Sequence, residues 1–126
     1  MQPTPTTVLL SIKPEHASRI FAGDKRYEFR RAIFKHKVKR VVVYASAPIS
    51  MVIGEFEVEE VLHDQLDNLW KTTSQEAGIT RQFFDAYFLD KTSGYAIRIK
   101  EAKLYDSPLP LRETYGVTPP QFFLYL

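Results

Sequence analysis

A lysine, a glutamate and an arginine fall close together where the sequence changes from a helical to a strand pattern. Gly23 is placed to end a helix, and the alternation of charged and aromatic residues from Arg26 to Arg31 predicts a strand directly after it. Lys25 therefore lies at the junction, and Glu28 and Arg30 follow on one face of the strand, roughly 7 Å apart by strand rise. The three side chains are thus expected to converge on one spot.

This convergence permits two kinds of chemistry. Lysine and arginine bind phosphate or carbonyl oxygens, and a carboxylate accepts hydrogen bonds from the polar edge of a base. A carboxylate can also tune a neighbouring lysine for proton transfer. The alternative is a solvated strand whose charges pair only with one another. The residue types by themselves leave these hypotheses open.

The predicted strands and helices that position this cluster do not form repeated βαβ units. Gly54 indicates a bulge or a close approach inside its strand, and the apolar run Val41–Tyr44 predicts a strand buried on both faces. We expect one α+β domain over residues 1–126, a mixed or antiparallel β-barrel with short helical insertions. The predicted strands are 7–12, 26–31, 41–44, 52–61, 94–105 and 122–126, and the predicted helices begin near Pro14, Leu66 and Thr80.

Composition excludes several functional classes. The 126 residues are 44% hydrophobic and contain no cysteine, so the chain is a packed globule without disulfides or thiol nucleophiles. The three histidines are too far apart in sequence for a helical metal pair, and no run of 18 apolar residues is present. Met1–Thr7 does not resemble a signal peptide. We therefore expect a cytoplasmic protein without a metal, a cofactor or a membrane association.

Charge is segregated along the chain although its total is only +2. Residues 1–40 carry ten lysines and arginines against three acidic residues, whereas residues 41–126 carry seven against twelve. Such segregation can give one face a positive field. Four cations in the basic stretch are candidates for a phosphate-binding rim, with a solvated hairpin loop as the alternative: Lys35, Lys37, Lys39 and Arg40. His36, within the same stretch, is expected to be a surface residue.

The arrangement Gly23-x-Lys25-x-x-Glu28-x-Arg30 resembles the G-x-K-x-x-E-x-R signature of the ASCH family, which belongs to the PUA-like superfamily of small β-barrels. The resemblance extends over about residues 9–126. Further segments that resemble the family are Leu10–Pro14, Tyr44–Pro48, Ile53–Phe56, Gly94–Ile97 and Pro119–Gln121. It implies a PUA-like barrel whose cleft, lined by the signature residues, holds RNA or a modified nucleotide or nucleoside. Tyr44–Pro48, with Ser46, would form part of the cleft wall.

Aromatic residues offer candidates for base stacking. Tyr27 and Tyr44 adjoin the charged cluster and are the preferred stacking residues, and Arg31 is a further ligand-binding candidate. A second aromatic group follows helical spacing, which favours core packing over a stacking platform: Trp70, Phe83, Phe84, Tyr87 and Phe88.

Two other classes of function, an enzyme and a regulatory or interaction module, remain as alternatives to binding. The resemblance includes amidohydrolases that act on acetylated cytidine, but these have threonine where this chain has Glu28, so their mechanism does not carry over. The resemblance also includes ribonucleases, although the motif contains no histidine to assist cleavage. In either kind of enzyme Lys25 would be the proton carrier, and Glu28 or Glu76 would be the carboxylate. The third hypothesis is a transcriptional-regulatory or protein-interaction module, although no helix–turn–helix pattern supports DNA binding.

Overall fold

The computed structural model describes residues 6–126, and this part of the chain forms one mixed sheet with short helices around it. Most of the Met1–Thr7 segment, on which the leader prediction rests, lies outside the described residues. Residues 6–126 contain six strands and four α-helices: β1 (Thr7–Ile12), α1 (Pro14–Ala22), β2 (Tyr27–Arg30), β3 (Arg40–Ala45), β4 (Met51–Gln65), α2 (Leu66–Thr73), α3 (Arg81–Tyr87), β5 (Ser93–Leu109), α4 (Leu111–Tyr115) and β6 (Phe123–Tyr125).

The sheet has the strand order β2-β5-β4-β3-β1-β6 and is curled into a half-barrel. β1 and β3 pair in parallel, and the other neighbouring strands are antiparallel. The predicted α+β class with a mixed PUA-like barrel is therefore confirmed. β4 and β5 are much longer than the other strands, with 15 and 17 residues, and form a ribbon that extends beyond them.

The central strands are buried on both faces because their side chains alternate between two apolar clusters. In β3, Val41 and Val43 pack with Phe56 and Ile97 on one side of the sheet. Val42 points to the opposite side, where it packs in a smaller cluster closed by α4. Val41, Val42 and Val43 are each at most 4% exposed, as the continuous apolar run predicts.

The junction before β2 follows directly from helix-termination chemistry. Pro14 occupies the first turn of α1, and Gly23 ends the helix with φ +88°, a left-handed conformation that glycine adopts without a steric penalty. The amides of Asp24 and Lys25 then both donate to the carbonyl of Arg19. The chain therefore reverses tightly, and Lys25 is fixed just ahead of β2.

Gly54 lies at a close approach, as its position within a strand predicts. A Cβ atom there would lie 2.5 Å from the carbonyl oxygen of Lys103 and 2.6 Å from the ring of Phe21. The β4–β5 register also shifts between Val52 and Gly54. A side chain at this position would therefore separate α1 from the sheet.

Two local expectations are wrong. Residues 31–39 are not a hairpin loop, because β5 and β4 lie between β2 and β3 in the sheet. This segment, called the crossing segment below, instead contacts β6, where the amides of Lys35 and His36 donate to Tyr125 Oη. The predicted helices also lack α4, directly after Pro110, because its five residues are too few to show helical periodicity.

No helix in the described part of the chain is long and apolar enough to cross a membrane.

Candidate functional site

A pocket of about 200 Å³ lies between the end of β1, the start of α1, β2 and α3. We call it the Lys25 pocket. It contains Lys25, Glu28 and Arg30 together, so the structure brings the three signature side chains to one concavity. Lys13 and His16 complete its polar lining. With two lysines, one arginine and one carboxylate, the pocket is suited to an anionic ligand.

Lys25 is buried within this pocket, at 2% exposure. Its Nζ donates to the carbonyl oxygen of Ala77 at 2.9 Å and lies 4.9 Å from the ring centre of Phe29. Desolvation by this burial lowers the pKa of Lys25 to about 8, although the Glu28 carboxylate partly opposes the shift. The stem of Lys25 packs against Gly78, where a Cβ atom would lie 2.5 Å from the Cβ of Lys25. The lysine is thus held in one position and titrates close to neutral pH.

Glu28 pairs with Arg30. Glu28 Oε2 accepts a hydrogen bond from Arg30 Nε at 3.1 Å and forms an ion pair with Nη2 at 2.9 Å, and Nη2 donates to the carbonyl of Ser11 at 3.0 Å. Glu28 does not hold Lys25 in place, because the lysine ammonium donates to the Ala77 carbonyl instead. The solvated-strand alternative is wrong, since Glu28 is only 7% exposed. The pair ties β2 to β1 across the open side of the half-barrel.

His16 is a site residue that the sequence analysis missed. The first turn of α1 places its ring in the Lys25 pocket, 5.0 Å from the ring centre of Phe83. Burial lowers the pKa of His16, and the positive charge of Lys25 lowers it further, so the imidazole is largely neutral at pH 7. A histidine therefore does stand beside the motif. The sequence feature that could have identified His16 is its position in the first turn of the helix that follows β1, three residues after Lys13.

The aromatic wall of the pocket is formed by residues other than those expected. Phe83 and Tyr87, on one face of α3, line the pocket, whereas Phe84 and Phe88 are buried in a cluster beneath it. Tyr27 is 2% exposed in that same cluster. Tyr44 is 7% exposed in the cluster on the opposite side of the sheet. Neither tyrosine presents a ring face to the pocket, so the structure contradicts their assignment as stacking residues.

The other predicted site residues lie outside the Lys25 pocket. Ser46 is in the turn after β3, where its amide donates to the Ile12 carbonyl. Glu76 is exposed, and its carbonyl accepts from the Arg26 amide, so the structure does not bring its carboxylate to Lys25. Arg31 lines a neighbouring cavity.

The predicted rim cations are likewise not brought to the pocket. Lys35, Lys37 and Lys39 are exposed along the crossing segment. Arg40 is ion-paired with Glu55, with 3.0 Å between Nε and Oε2. His36 is exposed, as expected. Within residues 6–126, no three histidine or acidic side chains form a group that could hold a metal ion.

A half-barrel whose open side carries a buried lysine and a buried carboxylate–guanidinium pair defines a small barrel of the PUA-like class. Residues 10–110 match the model of the ASCH domain family, and the chain belongs to that family. The family resemblance of the signature is thereby confirmed.

Two curated relatives show the range of proteins that contain a similar sequence. The large ribosomal subunit protein uL22 of Ureaplasma parvum serovar 3 is 32% identical over 124 residues, covering 98% of this chain and 40% of that protein. An ASCH domain-containing ribonuclease of Zymomonas mobilis is 31% identical over 93 residues, covering 71% of this chain and 63% of that protein. The chain thus spans less than two thirds of the length of each relative.

Solved structures agree with the fold. ASCH from Zymomonas mobilis superposes with a TM-score of 0.89 at 28% identity, covering 96% of this chain and 87% of that one. A serine-to-alanine variant of it gives 0.90 at 28% identity, with 99% and 91% coverage. The N-terminal domain of Staphylothermus marinus McrB, at 13% identity and a TM-score of 0.56, shares the fold alone.

Proposed function

We propose that this protein binds single-stranded RNA and takes one nucleotide into the Lys25 pocket. The observation that carries the proposal is the convergence of Lys25, Glu28 and Arg30 in one concavity with an excess of positive charge. At about 200 Å³ the pocket is smaller than typical drug-sized ligand sites of roughly 300–1,000 Å³. It therefore suits a single unstacked nucleotide, the form in which proteins recognise single-stranded RNA.

Different residues of the Lys25 pocket bind the phosphate and the base of the nucleotide. The Lys25 ammonium supplies positive charge to phosphate or carbonyl oxygens. Arg30 Nε and Nη2 are engaged by Glu28 and Ser11, and its Nη1 donates no hydrogen bond within residues 6–126, so Nη1 is available to a phosphate. Phe83 and Tyr87 provide aromatic surface for the base. The ribonuclease name of the Zymomonas relative supports RNA as the ligand class. The cytoplasmic location remains a prediction.

The affinity for RNA is expected to fall as the pH rises through about 8. Below that pH Lys25 is protonated and attracts phosphate; above it the amine is neutral, and the attraction is lost. Exposed lysines keep their charge to about pH 10, so binding by surface charge alone would not change in this window. Fluorescence anisotropy of a labelled single-stranded RNA at pH 6.5 and 9, at constant ionic strength, measures the effect. Equal affinity at both values would contradict the proposal.

RNA cleavage is a second candidate, and the presence of His16 and Lys25 in one pocket favours it. At pH 7 a neutral His16 can take the proton of a ribose 2′-hydroxyl as its oxygen attacks phosphorus. The bond from phosphorus to the 5′-oxygen breaks, and protonated Lys25 supplies a proton to that oxygen. The products are a 2′,3′-cyclic phosphate and a 5′-hydroxyl. No observation favours the amidohydrolase alternative, because the threonine position holds Glu28, engaged by Arg30.

If cleavage occurs, its rate is expected to have a bell-shaped pH dependence. The rate rises as His16 loses its proton, below the ordinary histidine value of about 6.5, and falls above about pH 8 as Lys25 loses its proton. Gel analysis of end-labelled RNA across pH 5–10 measures both limbs. His16→Ala should abolish the rise while leaving RNA binding in place. RNA that stays intact at every pH would exclude cleavage and leave the binding proposal standing.

A further inference from the structure

A second cavity of about 290 Å³ adjoins the Lys25 pocket and shares two of its walls, Arg30 and Tyr87. We call it the Phe122 cavity. Its other walls are Leu10 of β1, the crossing segment from Arg31 to Phe34, and residues 121–123, which lead into β6. The two cavities are therefore neighbours, with Arg30 and Tyr87 at the boundary between them.

The lining of the Phe122 cavity has the chemistry of a base-stacking site. Phe122 is 66% exposed at the cavity, which is unusual for a phenylalanine and leaves its ring available. Beneath it, Phe34 and Phe123 pack edge to face with 6.0 Å between ring centres and keep the wall rigid. Arg31 adds an exposed guanidinium, held by the Leu89 carbonyl at 3.3 Å. Aromatic rings combined with cations are the usual platform for single-stranded nucleic acid.

The shared wall supplies a contact for the phosphate that would join two nucleotides. Arg30 is fixed by a hydrogen bond from Nε to Glu28, an ion pair between Nη2 and Glu28, and a hydrogen bond from Nη2 to the Ser11 carbonyl. These use Nε and Nη2, so Nη1 is the donor left for an anion at the boundary of the two cavities.

We propose that the Phe122 cavity is a second nucleotide subsite, so that two consecutive nucleotides of single-stranded RNA bind with one base in each cavity. This inference rests on the proposed function of the Lys25 pocket. Stacking of one additional base increases affinity by roughly tenfold. The wild-type protein should therefore bind a dinucleotide about tenfold more tightly than the corresponding mononucleotide.

The test compares the four 5′-mononucleotides with the matching homodinucleotides by isothermal titration calorimetry. A 2′-O-methyl group on the first ribose blocks attack by that hydroxyl. In Phe122→Ala and Arg31→Gln the tenfold advantage of the dinucleotide should be lost or strongly reduced, whereas mononucleotide affinity stays within about twofold of wild type. Leu104→Ala, which removes a similarly exposed apolar side chain from β5 at 59% exposure, is the matched control and should retain the advantage.

The outcomes separate the two proposals. Equal affinity of mononucleotide and dinucleotide for the wild type overturns the second subsite alone. So does a dinucleotide advantage that survives in Phe122→Ala and in Arg31→Gln. If neither ligand binds, and a longer single-stranded RNA does not bind either, the proposed function fails and the subsite fails with it.

Discussion

The Lys25→Met variant is expected to bind single-stranded RNA at least tenfold more weakly than the wild type. Methionine retains an unbranched side chain of similar length but removes the ammonium, the buried positive charge of the Lys25 pocket. A hydrogen bond to a charged group contributes about 1.5–3 kcal/mol, which corresponds to a loss of roughly tenfold to hundredfold in affinity. Fluorescence anisotropy at pH 7 and constant ionic strength measures the loss.

Lys71→Met is the matched control for this prediction. Lys71 is exposed on α2 and does not line the pocket, yet its substitution changes the net charge by the same amount. Its affinity for RNA should stay within about twofold of wild type. A similar loss of affinity in both variants would mean that total charge governs binding. That result would contradict the proposal that RNA binds in the Lys25 pocket. The affinity of Lys25→Met for RNA should also no longer change with pH near 8. A variant that had merely unfolded would instead lose RNA binding at every pH.

Glu28→Ala is expected to lower the free energy of unfolding by about 3 kcal/mol, the typical cost of leaving one partner of a buried ion pair uncompensated. The side chains of Glu28 and Arg30 are only 9% and 16% exposed, so the guanidinium left behind is only partly solvated. Urea denaturation measured by circular dichroism gives the change. An unfolding free energy equal to that of the wild type would show that the pair is solvated in solution.

Two further variants separate the buried pair from charge in general. Asp67→Ala removes a carboxylate from an ion pair with Arg81 on the surface, where the aspartate side chain is 80% exposed, and should change stability little. The double variant Glu28→Leu with Arg30→Met replaces the buried charges by apolar groups and should regain much of the stability lost in Glu28→Ala. It should not regain RNA binding, because Arg30 Nη1 is gone.

The parts of the fold that local chemistry dictates were predictable from the sequence. Gly23 ended α1 because a left-handed residue was needed, and Thr80 capped α3 by accepting from the Phe83 amide. The run Val41–Tyr44 predicted a doubly buried strand. The cluster of Lys25, Glu28 and Arg30 was found because all of its members lie within six residues, where strand geometry fixes their relative positions.

The rest of the site depends on contacts that sequence spacing does not encode. His16 and Phe83 meet in the pocket although 67 positions separate them. Glu28 pairs with Arg30 rather than with Lys25. The carbonyls of Ala77 and Ser11, which come from other elements, accept hydrogen bonds from Lys25 and Arg30. Tyr27 was misassigned because adjacency to the motif in sequence places a strand residue on the opposite face of the sheet.

The segment that packs over Lys25 is far in sequence from the signature motif that contains the lysine. Ala77 and Gly78 belong to the connection between α2 and α3, and the Ala77 carbonyl reaches the ammonium across 52 positions of sequence. The signature segment therefore supplies the binding groups, whereas part of the burial that lowers the pKa of Lys25 comes from the α2–α3 connection. Relatives that exchange only the α2–α3 connection would shift the pH range in which they work while retaining the same ligand contacts. The signature motif alone is thus an incomplete guide to the conditions under which a family member is active.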